Sequence, residues 1–355
     1  MVSIRDIARM ASVSPASVSR ILNHDQSFSI NEETRKRVID IANQMHYSKD
    51  ASKKGPRFNH DSMQIGLILR HSRESELNDP YFHEIHRGIE LEAARWRMRV
   101  ITPFGMKDKA KEWQTLNDFG AIIMVGEMTN EGVEMVKKVN DNVILVDSYS
   151  EHPGVDVIKT DFSEKTQEIL DLLYENGHRK IAFIGGYNSV VRPDGSVLRD
   201  NHEVRAVNYR NWMKLHDLQD GINVKIGRWS AEDGMTLAKE ILQGNDRPTA
   251  IIVASDPMAM GVYKAISNFG LTIPDDISVV SFDDVEMNQY LVPSLSSVRM
   301  EAREMGKMAV KLARDRMIEP SGMPMQLICA SKLMIRESVK NIKPQFTIQV
   351  QHLSD

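Results

Sequence analysis

The period of the apolar positions changes along the chain. At the start they recur at helical spacing. Ile4, Ile7, Ala8 and Ala11 share one face of a short helix, with Ser3 as candidate N-cap and Asp6 three residues on, close to a capping box. Ser14 caps a second helix, and Pro15 takes its first position, where a missing N–H costs nothing. Val18, Ile21 and Leu22 give that helix its inner face. Asn31 starts a third, and Val38, Ile41, Ala42 and Met45 fall at i, i+3, i+4 and i+7. No helix can bury its own stripe, so the three must come together as helix, tight turn, helix and a supporting third helix.

"KDASKKGPRFNHDS", from Lys49 to Ser62, has no period and reads as a linker. Beyond it, apolar runs alternate with helical stretches. The runs are "QIGLIL" from Gln64, "RVITPF" from Arg99, "AIIMVG" from Ala121 and "NVILVD" ending at Asp147. A second set follows: "KIAFIGG" from Lys180, "AIIVAS" ending at Ser255 and "ISVVSFDD" ending at Asp284. Such runs, joined by helical crossovers, predict parallel sheets covered on both faces, and two sets predict two doubly wound α/β lobes. "QLICASKLMIRES" adds one or two late strands. The expected domains are a helical head over 1–47, a linker over 48–62, a two-lobed body over 63–340 and a tail over 341–355.

Composition adds exclusions. The chain of 355 residues is 41% hydrophobic, enough for large cores. One cysteine, Cys329, leaves no disulfide framework and no cysteine-based zinc site. There is no apolar run long enough to span a membrane, and "MVSIRD" carries no apolar leader, so the expected location is the cytoplasm. The net charge of −4 divides unevenly, with +4 over residues 1–59 and −8 over the remainder. A basic head on an acidic body suggests that the head meets a polyanion. The second helix leaves Pro15, Ala16, Ser17, Ser19 and Arg20 on its outer side. Small side chains at a helix start let backbone N–H groups approach phosphates, and an arginine fork matches a guanine edge.

In open α/β sheets, ligands bind beyond the carboxyl ends of strands. Asp147, Ser255-Asp256 and Asp283-Asp284 stand at such ends. Arg205 starts a helix, Trp229 precedes another, and Tyr81 and Phe82 follow the first strand in a loop where they can wall a cleft. Carboxylates and an arginine bond sugar hydroxyls, and an aromatic ring stacks on a sugar face. Each position also has a plainer reading, since an aspartate at a strand end is often a helix cap, as Asp256 before Pro257 suggests. Catalytic signals are weak. Phosphate-loop and nucleophile-elbow motifs are absent, and His83 and His86 lack a third metal ligand nearby. No enzyme activity, metal or cofactor is expected.

Several stretches together resemble the lactose/galactose repressor family: "IRDIARMASVSPASVSRILN", "EETRKRVIDIANQMHY", "GIELEA", "ENGHRKIAFIGG", "ASDPMAMGVYKAISNFGLTIPDDISVVSFDD" and "SKLMIRES". The resemblance runs from the first residues to about Lys340. It implies a helix-turn-helix head, a hinge and a two-lobed body like periplasmic sugar-binding proteins. It also implies a homodimer on a palindromic operator, released by a small sugar. By motif, base reading falls on Pro15, Ala16 and Arg20, and phosphate contact on Ser14, Ser17 and Ser19; the charges of Lys49, Lys53, Lys54 and Arg57 in the linker are expected to add phosphate attraction. Effector binding falls on Tyr81, Phe82, Asp147, Arg205, Trp229, Ser255 and Asp283.

There are departures from the family pattern. Asn208 stands where the family has glycine after the arginine, Ser255 where Asn or Asp is frequent, and "SRESELN" from Ser72 lengthens the first loop. The hinge has no leucine wedge, which leaves Pro56 or Phe58 to substitute and implies weak DNA bending. "NIKPQFTIQVQHLSD" holds no leucine heptad, so a dimer and not a tetramer is expected. Details of the head and of "NHDQSFSINEETRKRV" lean toward a galactose or galactoside inducer. The competing classes are a sugar-binding protein, or a sugar-processing enzyme, without DNA function.

Overall fold

The structure, a computed structural model, describes residues 4–22, 30–44, 63–71, 79–244, 246–319 and 322–344. The linker residues Lys49, Lys53, Pro56 and Phe58, the loop "SRESELN" and the tail from residue 345 lie outside the described residues. The chain divides into two compact units, Met1–His60 and Asp61–Asp355.

The first unit holds α1 (Ile4–Ala11), α2 (Pro15–Leu22) and α3 (Glu32–Gln44). Ile7, Ala8, Ala11, Val18, Ile21 and Val38 are buried together, with Leu22 and Ile41 half-buried against them, so members of all three apolar stripes meet in one core. The turn between α1 and α2 is closed by Val13 N–H donating to the Ala8 carbonyl at 3.0 Å, and Ser12 there takes φ +55°. Asn31 Oδ1 accepts from Glu33 N at 2.8 Å and so caps α3.

The second unit has two six-stranded sheets. The first runs in the order β13-β5-β4-β3-β1-β2, all parallel. Its strands are β1 (Gln64–Leu69), β2 (Arg99–Ile101), β3 (Ala121–Val125), β4 (Val143–Val146), β5 (Asp156–Thr160) and β13 (Gln326–Cys329). Helices α4 (Pro80–Arg95) and α10 (Ala302–Ile318) cover one face, and α5 (Asn130–Lys137) covers the other. The second sheet runs β14-β12-β11-β10-β6-β9 and is parallel except for β14. Its strands are β6 (Ile181–Gly186), β9 (Asn223–Gly227), β10 (Ala250–Val253), β11 (Ser278–Asp283), β12 (Ser296–Arg299) and β14 (Lys332–Met334). It lies between α6 (Phe162–Glu175) with α7 (Val204–Leu215) and α8 (Ala231–Leu242) with α9 (Asp256–Asn268). A hairpin, β7 (Asn188–Val191) and β8 (Val197–Asp200), stands apart.

Every residue of β3 and β4 is buried, because successive side chains enter opposite helical layers: Ile123 and Val125 one, Ile122 and Met124 the other. The helix pair α4 and α10 crosses so closely that a Cβ on Gly88 would lie 2.1 Å from the Arg303 carbonyl oxygen. One on Gly306 would lie 2.0 Å from that of Ile85, so both contacts require glycine.

Among the described residues the chain passes between lobes at three places: Asp161 between β5 and α6, Met300-Glu301 between β12 and α10, and Ala330-Ser331 between β13 and β14. Two of these strands are clamped together, since Asp161 accepts hydrogen bonds from Ser331 N at 3.1 Å and from Ser331 Oγ.

The expected fold class of helix-turn-helix head and two doubly wound lobes is present. Details differ from the sequence reading. "RVITPF" yields only the short strand β2. Tyr81 and Phe82 are in the first turn of α4, not in a loop, because Asp79 and Pro80 start the helix there, with Phe82 N donating to Asp79 Oδ1 at 3.4 Å. The two late strands join different lobes. Strands β5, β7, β8, β9 and β12 had not been anticipated.

Candidate DNA-reading face and effector cleft

On α2, Ser14, Pro15, Ala16 and Arg20 are exposed, and Ser17 and Ser19 are half-buried. Ser14 Oγ accepts from Ser17 N at 3.0 Å and lies 2.9 Å from Ser17 Oγ. Ser14 therefore closes the helix start, which holds the first N–H groups of α2 in an array that an anion can meet.

In the second unit a cavity of about 200 Å³ opens between the carboxyl ends of the two sheets. It gathers all seven effector positions expected from the sequence: Tyr81, Phe82, Asp147, Arg205, Trp229, Ser255 and Asp283. Tyr81 O–H donates to Asp147 Oδ1 at 3.0 Å. Burial pushes the Asp147 carboxyl up to about 7, against the pull of Arg70, Tyr81 and Arg205. Its backbone is left-handed, at φ +60°.

Arg205 is buried, and its Nε donates to Glu203 Oε1 at 2.7 Å. Its Nη1 donates to the Ala254 carbonyl at 2.7 Å. The guanidinium lies 3.9 Å from the centre of the Phe162 ring and 5.1 Å from those of Trp229 and Phe282. It is therefore fixed before any ligand arrives. The indole N–H of Trp229 donates to the Tyr187 carbonyl at 3.1 Å.

Asp256 and Asp283 divide their labour. Asp256 is not the cap of α9; Ser255 occupies that position. Asp256 is fully buried and accepts from Ser281 Oγ, Ser297 Oγ, Val285 N and Asn288 Nδ2, which ties down the loop after β11. Burial pushes its carboxyl up to about 6, against the pull of these four donors. Asp283 receives one hydrogen bond, from Asp256 N at 3.1 Å. Burial, with Asp256 and Asp79 nearby, raises its carboxyl well above the usual range. Ser255 Oγ is buried without a protein partner among the described residues.

The departure at Asn208 has a structural use: its side-chain amide donates to Ser163 Oγ at 3.0 Å and thereby links α7 to α6. Sequence reasoning missed Arg70, Asp79, Glu127, Phe162 and Glu203, all of which line the cavity. Arg70 directly follows β1, so the strand-end rule that selected Asp147 would have found it. Glu127 holds the loop after β4, accepting from Ser150 N at 2.9 Å and Ser150 Oγ at 2.7 Å.

No helix among the described residues is long and apolar enough to cross a membrane. Residues 3–50 match the model of bacterial regulatory proteins of the lacI family, and residues 170–339 match a periplasmic binding protein-like domain. The chain is 30% identical over 341 residues to the HTH-type transcriptional repressor MelR of Bacillus subtilis (strain 168), covering 95% of this chain and 97% of that protein. It is 28% identical to the HTH-type transcriptional regulator GalR of Streptococcus thermophilus, covering 96% and 100%. Its fold is similar to that of the lac repressor dimer bound to operator and the anti-inducer ONPF, with a TM-score of 0.66 at 21% identity, covering 96% of this chain and 99% of that one. The chain belongs to the lacI family of bacterial regulatory proteins, transcription regulators in which a DNA-binding helix-turn-helix head is joined to a periplasmic-binding-protein-like body.

Proposed function

We propose that this protein acts in the cytoplasm as a homodimeric repressor of a sugar-utilisation operon. It leaves a palindromic operator when a small neutral sugar, galactose or a galactoside, occupies the cleft. One observation carries the effector reading: a single cavity sets Asp147 and Arg205, from opposite lobes, beside the rings of Tyr81, Phe82 and Trp229. A polyol needs this mixture of acceptors, donors and flat apolar walls. Five cavity carboxyls, Asp79, Glu127, Asp147, Glu203 and Asp283, outnumber the two guanidiniums of Arg70 and Arg205, which argues against an anionic ligand. The choice of galactose rests on the resemblance of the head and of "NHDQSFSINEETRKRV".

Operator reading is assigned to Pro15, Ala16 and Arg20 of α2, with Ser14, Ser17 and Ser19 toward phosphates. Lys49 and Lys53 add phosphate attraction in this proposal. The sugar acts through its preference for one arrangement of the lobes, and only that difference in affinity can shift the protein away from its DNA-competent state. Calorimetry with galactose, lactose and a sugar phosphate, paired with operator binding, tests the reading. Galactose or lactose is expected to bind and to weaken operator affinity. Tight binding of the sugar phosphate alone would overturn it.

A further inference from the structure

The hairpin β7–β8 leaves the second lobe at the end of β6 and returns to α7, yet its tip belongs to the first lobe. Val191 is completely buried in the apolar layer of Ile68, Met124, Met128 and Val133. Its N–H donates to the Glu127 carbonyl at 3.1 Å, and its own carbonyl accepts from Thr129 N at 2.9 Å, a one-residue extension of parallel pairing. Arg70 Nη1 donates to the Ser189 carbonyl at 3.1 Å, and Lys111 Nζ to that of Pro193 at 2.9 Å.

The position of this bridge follows from strand order. The covalent crossovers leave from β5, β12 and β13, at one edge of each sheet. The hairpin joins the end of β6 to the ends of β1 and β3, toward the opposite edges. The cleft is therefore bounded on its hinge side by chain and on its far side by the hairpin. Its two stems also line the cavity, through Tyr187 and Asn188 on one side and His202 and Glu203 on the other. Clefts for drug-sized ligands run to roughly 300–1,000 Å³. This one, at about 200 Å³, suits something smaller.

We propose that the β7–β8 hairpin is a strap that sets effector length: by closing the far side of the cleft it admits a mono- or disaccharide, excludes longer chains, and slows release of what is bound. This rests on the sugar-effector reading above. The strap must lift from the first lobe for a sugar to leave. That requires extracting Val191 from an apolar layer and breaking its ladder-type hydrogen bonds.

The test uses a strapless variant in which residues 189–199 are replaced by Gly-Gly, a two-residue turn across the existing Asn188–Asp200 pair. A second variant, Val191→Asp, keeps the hairpin and undocks its tip. Circular dichroism and thermal melting establish that each folds. Binding of a galacto-oligosaccharide ladder, from mono- to tetrasaccharide, is measured by calorimetry, and release by stopped-flow tryptophan fluorescence. The parent should prefer the short sugars by about tenfold or more over the tetrasaccharide. Both variants should lose most of that preference and release the monosaccharide about tenfold faster. A folded strapless variant with the parent's length preference and release rate would overturn the proposal alone. A parent that binds no sugar on the ladder would sink the sugar reading and this proposal with it.

Discussion

The DNA-reading face and the effector cleft expose their chemistry in opposite ways. At α2 the assigned base readers Pro15, Ala16 and Arg20 are exposed, Ser17 and Ser19 are half-buried, and the core beneath them is a separate set led by Ile7, Val18 and Ile21. In the cleft four of the seven assigned residues are themselves buried, with Arg205 and Asp147 6% and 9% exposed and Tyr81 and Phe82 8% and 7%, and Trp229, Ser255 and Asp283 are half-buried. Changes at the proposed base readers should therefore cost the head little stability. The cleft has no such freedom at Asp147 and Arg205, because both also make hydrogen bonds that hold the fold.

The largest expected effect is at Arg205. Arg205→Ala leaves Glu203 buried without its cation, and breaking a buried pair in this way costs about 3–5 kcal/mol. Denaturant unfolding should show that loss, and calorimetry should show loss of sugar binding. Arg205→Lys keeps the charge but not the fork, so it should recover part of the stability and little of the response. An Arg205→Ala protein as stable and as sugar-responsive as the parent would collapse the distinction between the two regions.

Asp147→Asn should come next, with an effect that depends on pH. The folded carboxyl titrates near 7 against an ordinary value of 3.8. Ionising it in the fold therefore costs stability, a penalty absent below the ordinary value, growing as pH rises toward 7 and complete above that. Removing the charge should stabilise the sugar-free protein by about 2–4 kcal/mol above neutrality and by almost nothing in acid. Thermal melts of the two proteins across that range check the sign.

The head should behave otherwise. Arg20→Ala should cost about 1–3 kcal/mol of operator discrimination and relax one base position in each half-site. Its unfolding midpoint should stay within the small range of surface substitutions. Equal binding to every operator variant by parent and mutant would displace the recognition assignment from α2. The smallest effect expected is at Ser14, which caps α2: Ser14→Ala should lower stability of the head by about 1 kcal/mol and weaken all DNA sequences alike.

The same contrast governs what could be read from residues alone. Helix starts write their chemistry locally, so Ser14-Pro15 and Asn31 marked α2 and α3 correctly, and uninterrupted apolar runs marked β1, β3, β4 and β10. Strands with charged members, such as "DVIKT" of β5 and "NVKIG" of β9, carry no such run and were passed over. Asp147 and Asp283 were legible because they end apolar runs. Asp256 owes its role to partners that arrive from distant chain, so nothing beside it in sequence announces a hub. Glu203, by contrast, caps α7 and pairs with Arg205 two residues on, a local arrangement that the helix start could have signalled. The strap was not anticipated, although "VVRPDGSVL" has a Pro-Asp-Gly turn between β-branched flanks that could have signalled a hairpin. Its docking on the other lobe is a tertiary fact that no local pattern encodes.

The central claim is that occupancy of the cleft is read out at α2. Fluorescence anisotropy of a labelled palindromic operator fragment, titrated with the full chain in the presence and absence of galactose or lactose, measures this directly. The account predicts tight binding without sugar, a loss of about tenfold or more when sugar is added, and no sugar effect on DNA binding by Arg205→Ala. Operator affinity that is the same with and without sugar, under conditions where calorimetry shows the sugar bound, would contradict it.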